Sequence, residues 1–166
     1  MYVSWYDSPL GKLLMTCTDQ GLTGIYMNRE VSRKDVHPFF QMAEKWLDSY
    51  FRGENPTVTV PLSLEGTSFQ QMVWKLLLTI PYGETRSYGS IAKEIAAQLG
   101  KEKMSAQAVG QAVGRNPVSI LVPCHRVVGR NGNLTGYAGG MENKIWLLEH
   151  ESRQRIGETD NALCGI

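Results

Sequence analysis

The 166-residue sequence predicts a mixed α/β (α+β) fold: a small mixed α/β N-terminal domain, then a mainly helical C-terminal domain carrying a helix-turn-helix. Three observations predict it. The first 27 residues alternate weakly and are broken by turn sequences, as in short antiparallel strands. Residues 39–51, and then 67–113, place apolar side chains at helical spacing. The last two of those helices are short and joined by a tight connection. The expected boundaries are 1–66 for the scaffold domain, 67–151 for the domain carrying the chemistry, and 152–166 for a polar tail.

In chain order, residues 2–7 and 12–18 read as strands around the turn Ser8-Pro9-Leu10-Gly11. Asp19-Gln20-Gly21 turns the chain into a third strand, Leu22 to Met27, and residues 28–36 are a polar loop. Phe39, Phe40, Ala43, Trp46, Leu47, Tyr50 and Phe51 form one aromatic helix face, with His37 at its start and Gly53 at its end. Val58, Val60, Leu62 and Leu64 alternate with Thr57, Thr59, Pro61 and Ser63, predicting one more strand, at an edge because of Pro61. Cys17 and His37 are too few for a structural zinc site, which wants four ligands.

Phe69, Met72, Val73, Leu76, Leu77 and Ile80 predict a helix capped by Thr67 or Ser68 and stopped by Pro81-Tyr82-Gly83-Glu84. Ser87 caps the next, with Tyr88, Ile91, Ala92, Ile95 and Leu99 inside and Gly100 at its end. Ser105 caps a third, thin helix, with Ala108, Val109, Ala112 and Val113 inside and Gly114 at its end. Taken alone, this helix-turn-helix pattern is weak, and generic helical packing accounts for it better. Ile120-Leu121-Val122 reads as a short buried strand that Pro123 stops, leaving Cys124 at the lip of a sheet. Asn131-Gly132 predicts a tight turn between Val127-Val128 and Leu134. Gly136, Gly139 and Gly140 around Tyr137 suggest a loop whose backbone approaches a ligand closely. A last helix, 141–150, should bury Met141, Ile145 and Leu148, with Glu151 at its end as an ordinary solvated carboxylate.

Composition narrows the class. With 42% hydrophobic and 20% charged residues, the chain reads as a soluble globular protein. No apolar run approaches membrane-spanning length, and Met1-Tyr2-Val3-Ser4-Trp5 does not resemble a secretory signal. Three separated cysteines, Cys17, Cys124 and Cys164, argue against a disulfide framework and for a reducing, cytoplasmic setting. Net charge is +1, unevenly spread. Residues 1–66 hold 6 basic and 8 acidic side chains, and residues 67–151 hold 9 and 6. Lys101, Lys103, Arg115, Arg126 and Arg130 cluster, as on a solvated basic face or a nucleic-acid footprint.

From the residues alone, Cys124 is as readily an inert core thiol as a nucleophile. The longer pattern changes that. Asn116-Pro117-Val118-Ser119-Ile120-Leu121-Val122-Pro123-Cys124-His125-Arg126-Val127, then Gly136-Tyr137-Ala138-Gly139-Gly140 and Lys144 through Glu151, closely resembles the O6-alkylguanine-DNA alkyltransferases. The resemblance covers residues 67–151 well and is weak before them. It implies a DNA repair protein that moves an alkyl group from O6-alkylguanine, with O4-alkylthymine a plausible second substrate, onto its own Cys124 in one turnover. It implies no cofactor, a small mixed α/β layer at the N-terminus, double-stranded DNA with alkylated bases as partner, and a monomer without membrane attachment. Some relatives carry zinc near the N-terminus; this chain lacks the set.

The resemblance also implies roles. His125 takes the thiol proton, through a bridging water because neighbouring side chains of an extended segment diverge. Glu151 orients His125 and favours its protonated form. Asn116 holds the turn before Cys124, and Tyr88 donates to the departing base. The Ala138 N–H contacts O6, and the carbonyls of Cys124 and Val127 accept from the exocyclic amine. Pro123, Tyr137 and Gly139 complete the base pocket. Ser105, Ala106, Gln107 and Gly110 lie along the minor groove, where the family has an arginine in place of Gln107; the basic cluster adds Arg115, Arg126 and Arg130 as side chains expected to face DNA. Three rivals stand beside this reading: a non-catalytic lesion binder, a cysteine hydrolase with a Cys-His-Glu set, and a sequence-specific helix-turn-helix regulator.

Overall fold

The computed structural model describes residues 1–134 and 136–164, with side chains described as far as Arg153. The alternating start of the chain folds as a three-stranded antiparallel meander: β1 (Tyr2–Ser8), β2 (Gly11–Thr18) and β3 (Gly21–Tyr26), in that order. Ser8 closes the first hairpin, donating its hydroxyl to the Gly11 carbonyl (2.6 Å) and accepting from the Leu10 N–H (3.0 Å). Gly11 turns there at φ 96°, where a side chain would clash with its own backbone.

Leu13, Met15 and Cys17 of β2 share one fully buried face. They join Leu22 and Ile25 of β3 and Phe40, Ala43, Leu47 and Tyr50 of α1 (Pro38–Phe51) in one core. His37 caps α1, its Nδ1 accepting from the Phe39 N–H at 3.1 Å.

The strand expected over 57–64 does not form. Its one bridge pairs Leu62 with Leu22, through Leu22 N–H to Pro61 O (2.8 Å) and Ser63 N–H to Leu22 O (2.9 Å). Pro61 has no N–H with which to carry the ladder further. A second bridge on β3 pairs Ile25 with Val118, through Ile25 N–H to Pro117 O (2.9 Å) and Ser119 N–H to Ile25 O (3.2 Å). The N-terminal sheet therefore anchors the approach to Cys124.

The helices follow their caps. α2 (Ser68–Leu77) starts in a capping box between Thr67 and Gln70, and ends before Ile80. α3 (Tyr88–Leu99) is capped by Ser87 and closed by Gly100 at φ 67°; α4 (Ala106–Gly114) is capped by Ser105. Trp74 of α2 donates its indole N–H to Ala112 O of α4 at 2.9 Å, tying those two helices together. A two-residue strand β4 (Arg86–Ser87) pairs in parallel with β5 (Val127–Val128).

Asn131-Gly132 turns as expected, with Asn131 at φ 60°, but as a 3-10 turn closed by Gly132 N–H to Gly129 O (3.1 Å) and Asn133 N–H to Arg130 O (3.2 Å); no strand follows at Leu134. α5 (Met141–Cys164) buries a different face from the one expected. Lys144, Leu147, His150 and Glu151 point inward, while Ile145 is 37% exposed. The polar side chains win that face because each finds a buried partner. The side chains beyond Arg153, Cys164 among them, lie outside the described residues. No described helix is long and apolar enough to cross a membrane.

Candidate active site

The apolar run before Cys124 is not a strand. Residues 118–122 wrap as a buried turn around the side chain of Asn116. The amide donates to Val122 O (2.9 Å) and Val118 O (3.4 Å), and its oxygen accepts from the Val118 N–H (3.0 Å). Asn116 thus satisfies buried backbone groups that a ladder would otherwise have to pair. Ile120 sits in this turn at φ 74°, a strained conformation for a β-branched residue that the surrounding bonds hold in place. Cys124, His125 and Arg126 then form one 3-10 turn, not the end of a strand.

The three side chains of that turn part company. Cys124, 4% exposed, lines a cavity of about 1120 Å³. His125 is fully buried and points away from that cavity's lining, its Nε2 2.6 Å from Glu151 Oε2. With Nε2–H donating to the carboxylate, Nδ1 carries the lone pair, and it is buried without a partner. Arg126 corrects the expectation that it faces DNA: it is turned inward onto Glu151. Its Nε donates to Oε1 at 2.8 Å, one Nη to Oε2 at 3.1 Å, and the other to Ile80 O at 2.8 Å. A carboxylate buried this deeply requires a counter-charge, and the planar fork of arginine matches it. Glu151, only 1% exposed, is likewise no solvated surface group. It also accepts from Tyr50 O–H (2.7 Å) and Gly83 N–H (3.0 Å).

Burial alone would raise the Glu151 carboxyl, but the hydrogen bonds and charges of His125 and Arg126 hold it well below the usual carboxylate range. Burial pushes His125 down against the upward pull of Glu151, with Arg126 and Lys144 adding to the push. Glu151 thus favours the protonated form of His125, as expected, while burial opposes it. Burial also raises the Cys124 thiol, over the opposing influence of Asn116, Tyr137 and the Lys144 charge. A protonated thiol near a neutral base is what general-base activation needs.

These shifts predict acid lability. The folded His125 and Glu151 both release protons more readily than in the unfolded chain. Unfolding therefore takes up protons as pH falls through about 6.5, and again below about 4.3, and stability falls with it. Urea unfolding at about pH 7.5 and about pH 5.5 should show a lower midpoint at the lower pH.

Tyr88, Ala106, Gln107, Gly110, Asn116, Arg130, Tyr137 and Ala138 line the cavity together with Cys124. Ser105 and Arg115 cap α4 at its two exposed ends, outside that lining. Pro123 lines a separate cleft shared with Tyr50, Tyr82 and Arg126. Gly139, expected in the pocket, is buried against the N-terminal part: its carbonyl accepts from Asn28 (3.1 Å) and Asn143 (2.8 Å), and a Cβ there would lie 2.3 Å from Met27 Sδ. These contacts anchor the loop to the N-terminal part. Val127 O accepts from Lys144 Nζ at 2.7 Å.

Lys144, Tyr50 and Asn28 are the residues that sequence reasoning missed. Lys144 is fully buried, with burial lowering it and Cys124 opposing that shift. The spacing Lys144, Leu147, His150, Glu151 is a helical face, but its polar members hide it from an apolar pattern. Among the described residues, no group of three or more His, Cys, Asp and Glu side chains converges as metal ligands would.

Comparison with known proteins bears on this arrangement. Residues 68–153 match the 6-O-methylguanine DNA methyltransferase, DNA binding domain family, and residues 1–64 match its ribonuclease-like domain family. The chain is 45% identical over 160 residues to a methylated-DNA–protein-cysteine methyltransferase of Methanosarcina acetivorans, covering 91% of this chain and 98% of that one. It is 47% identical over 154 residues to the protein of that name from Mycobacterium leprae, covering 89% and 90%. Among solved structures, it is similar to Mycobacterium tuberculosis OGT in complex with DNA, with a TM-score of 0.81 at 47% identity over 93% of this chain and 94% of that one. The O6-methylguanine-DNA methyltransferase of Pyrococcus kodakaraensis gives a TM-score of 0.64 at 27% identity, over 90% and 97%.

Proposed function

The chain belongs to the 6-O-methylguanine DNA methyltransferase family, and on that premise we propose how its residues repair alkylated DNA. The activity is transfer of a methyl group from DNA to a cysteine of the protein. The observation that carries the assignment of residues is the 3-10 turn that presents Cys124 to a cavity and His125 to a buried Glu151–Arg126 pair.

The target base leaves the duplex and enters the cavity lined by Tyr88, Cys124, Tyr137 and Ala138. The Cys124 proton passes through a water to His125 Nδ1, and Glu151 stabilises the imidazolium that forms. The thiolate sulfur then attacks the alkyl carbon. The S–C bond forms as the C–O6 bond breaks, and guanine departs with the electron pair. Tyr88 supplies a proton or hydrogen bond to the base, and the Ala138 N–H meets the charge growing on O6. We assign the exocyclic amine to the carbonyls of Cys124 and Val127, the second of which also accepts from Lys144. The product is a thioether that water has no easy route to cleave, so each molecule acts once.

DNA is the partner. We read its approach as minor-groove docking of α4, with Ser105, Ala106, Gln107 and Gly110 toward the groove and Arg115 and Arg130 toward phosphates. All of these but the half-buried Gly110 are exposed. Residues 1–66 serve as scaffold and 67–151 carry the reaction, in a monomeric cytoplasmic protein. Gln107 brings no charge to the groove. Gln107→Arg should bind a methylated duplex tighter, by roughly 3- to 10-fold at equal salt, in a titration. An unchanged affinity would remove Gln107 from the groove.

The reading is tested by mixing the protein with a duplex containing one O6-methylguanine and recording intact protein mass. The expected result is one methyl in place of one hydrogen per molecule. An intact lesion and unchanged mass would leave a lesion binder, and repeated turnover without an adduct would leave a hydrolase.

A further inference from the structure

Glu151 is held by several donors, and one side chain among them comes from the N-terminal part of the chain. Tyr50, in the last turn of α1, donates its phenol O–H to Glu151 Oε2 at 2.7 Å, across 101 residues of sequence. That is the oxygen 2.6 Å from His125 Nε2. Tyr50 is fully buried, and burial first, then the negative Glu151, raises its phenol well above the usual range, so it remains a donor.

The ring has little room to turn. It stacks on Trp46 (5.3 Å, 11°) and stands edge-on to Phe51 (5.2 Å, 85°) and Tyr82 (6.0 Å, 74°). His150, beside Glu151 on α5, packs on the ring and donates its Nε2–H to the Tyr50 carbonyl at 2.8 Å. The hydroxyl and the backbone of Tyr50 are thus both tied to α5.

We infer that Tyr50 is a positioning residue for the proton relay, its phenol fixing the Glu151 carboxylate and drawing charge from the oxygen that faces His125. The inference rests on the function proposed above. It gives the N-terminal part a role in the reaction beyond that of a scaffold.

The consequence has a definite sign. Glu151 on α5 pulls the His125 proton affinity up, while Arg126 on the same turn and Lys144 on α5 push it down. Cys124 and Tyr137 interact with each other, Tyr82 lies beside the Arg126 guanidinium (5.6 Å), and His150 packs on Tyr50. Tyr50 tempers the Glu151 pull. Removing its hydroxyl leaves a more negative oxygen against His125, so His125 holds a proton to higher pH. The relay needs His125 neutral, and the acid limb of the transfer rate moves up.

The test is single-turnover methyl transfer by the full chain from O6-methylguanine duplex, followed by intact mass across pH, for the parent and Tyr50→Phe. The expected limb lies about half a unit to one unit higher in the variant. Below the limb its rate is then roughly 3- to 10-fold lower. Loss of a buried hydrogen bond lowers the variant's stability whatever the role of Tyr50, so the pH limb and not the unfolding midpoint discriminates, and DNA affinity should stay within about twofold. Superimposed pH profiles overturn the inference. Should Tyr50→Phe fail to fold, fluorotyrosine placed at position 50 alone keeps the ring and strengthens the donor. The limb must then move down, and an unmoved limb is equally fatal. A parent chain that gains no methyl overturns the proposed function itself, whereas a parent that transfers beside an unshifted variant overturns only the role of Tyr50.

Discussion

Cys124→Ser is expected to gain no methyl from O6-methylguanine duplex over a time in which the parent is fully converted, a rate loss on the order of 10⁴-fold or more. The substitution keeps the shape of a residue that is 4% exposed, so the fold and lesion binding should survive it. What it removes is a soft nucleophile. A serine hydroxyl gives up its proton far less readily than a thiol, and a neutral histidine whose own proton affinity is lowered by burial cannot compensate. Intact mass and duplex binding measured on one preparation check both halves. Continued methyl gain would move the acceptor to another cysteine, Cys17 or Cys164. Loss of binding together with transfer would make Cys124 a structural residue of the pocket.

Arg126→Ala should be the most destabilising single change in the site. It leaves the Glu151 carboxylate buried with His125, Tyr50 and Gly83 but without its bidentate partner. Breaking a buried pair from one side costs about 3–5 kcal/mol. For a chain of this size that corresponds to a fall in Tm of roughly 10 °C. The salt dependence of DNA binding should not change, since the guanidinium faces Glu151 and Ile80 O and is not on the surface. A variant that melts with the parent and shows a salt slope weaker by about one phosphate contact would restore Arg126 to the DNA-facing set.

These two residues mark what short-range reading reaches. Ser87, Ser105 and Thr67 announce helix starts because a cap acts within three residues, and all three cap as expected. The meander was legible because alternation and turn chemistry are local as well. The Pro-Cys-His-Arg run, read with its flanks, is a contiguous motif and identifies the family.

Charge type alone put Arg126 outside, with the other basic residues. Its inward turn depends on Glu151, 25 residues on. The same dependence explains α5. Apolar spacing selects Met141, Ile145 and Leu148, yet Lys144, His150 and Glu151 are inside, each with a backbone or side-chain partner supplied by another element. The run before Cys124 looks like a strand until Asn116 is seen to satisfy its backbone, which makes a turn possible where a ladder would otherwise be required.

The chain's residue pattern was therefore enough for the family, the helix starts and the N-terminal meander. Each of these rests on interactions within a few residues or on a contiguous motif. Which polar side chains are buried, which way Arg126 points, and how Tyr50 reaches Glu151 depended on packing. A buried charge is tolerable only where distant parts of the chain bring its partners together, and no local pattern records where they meet.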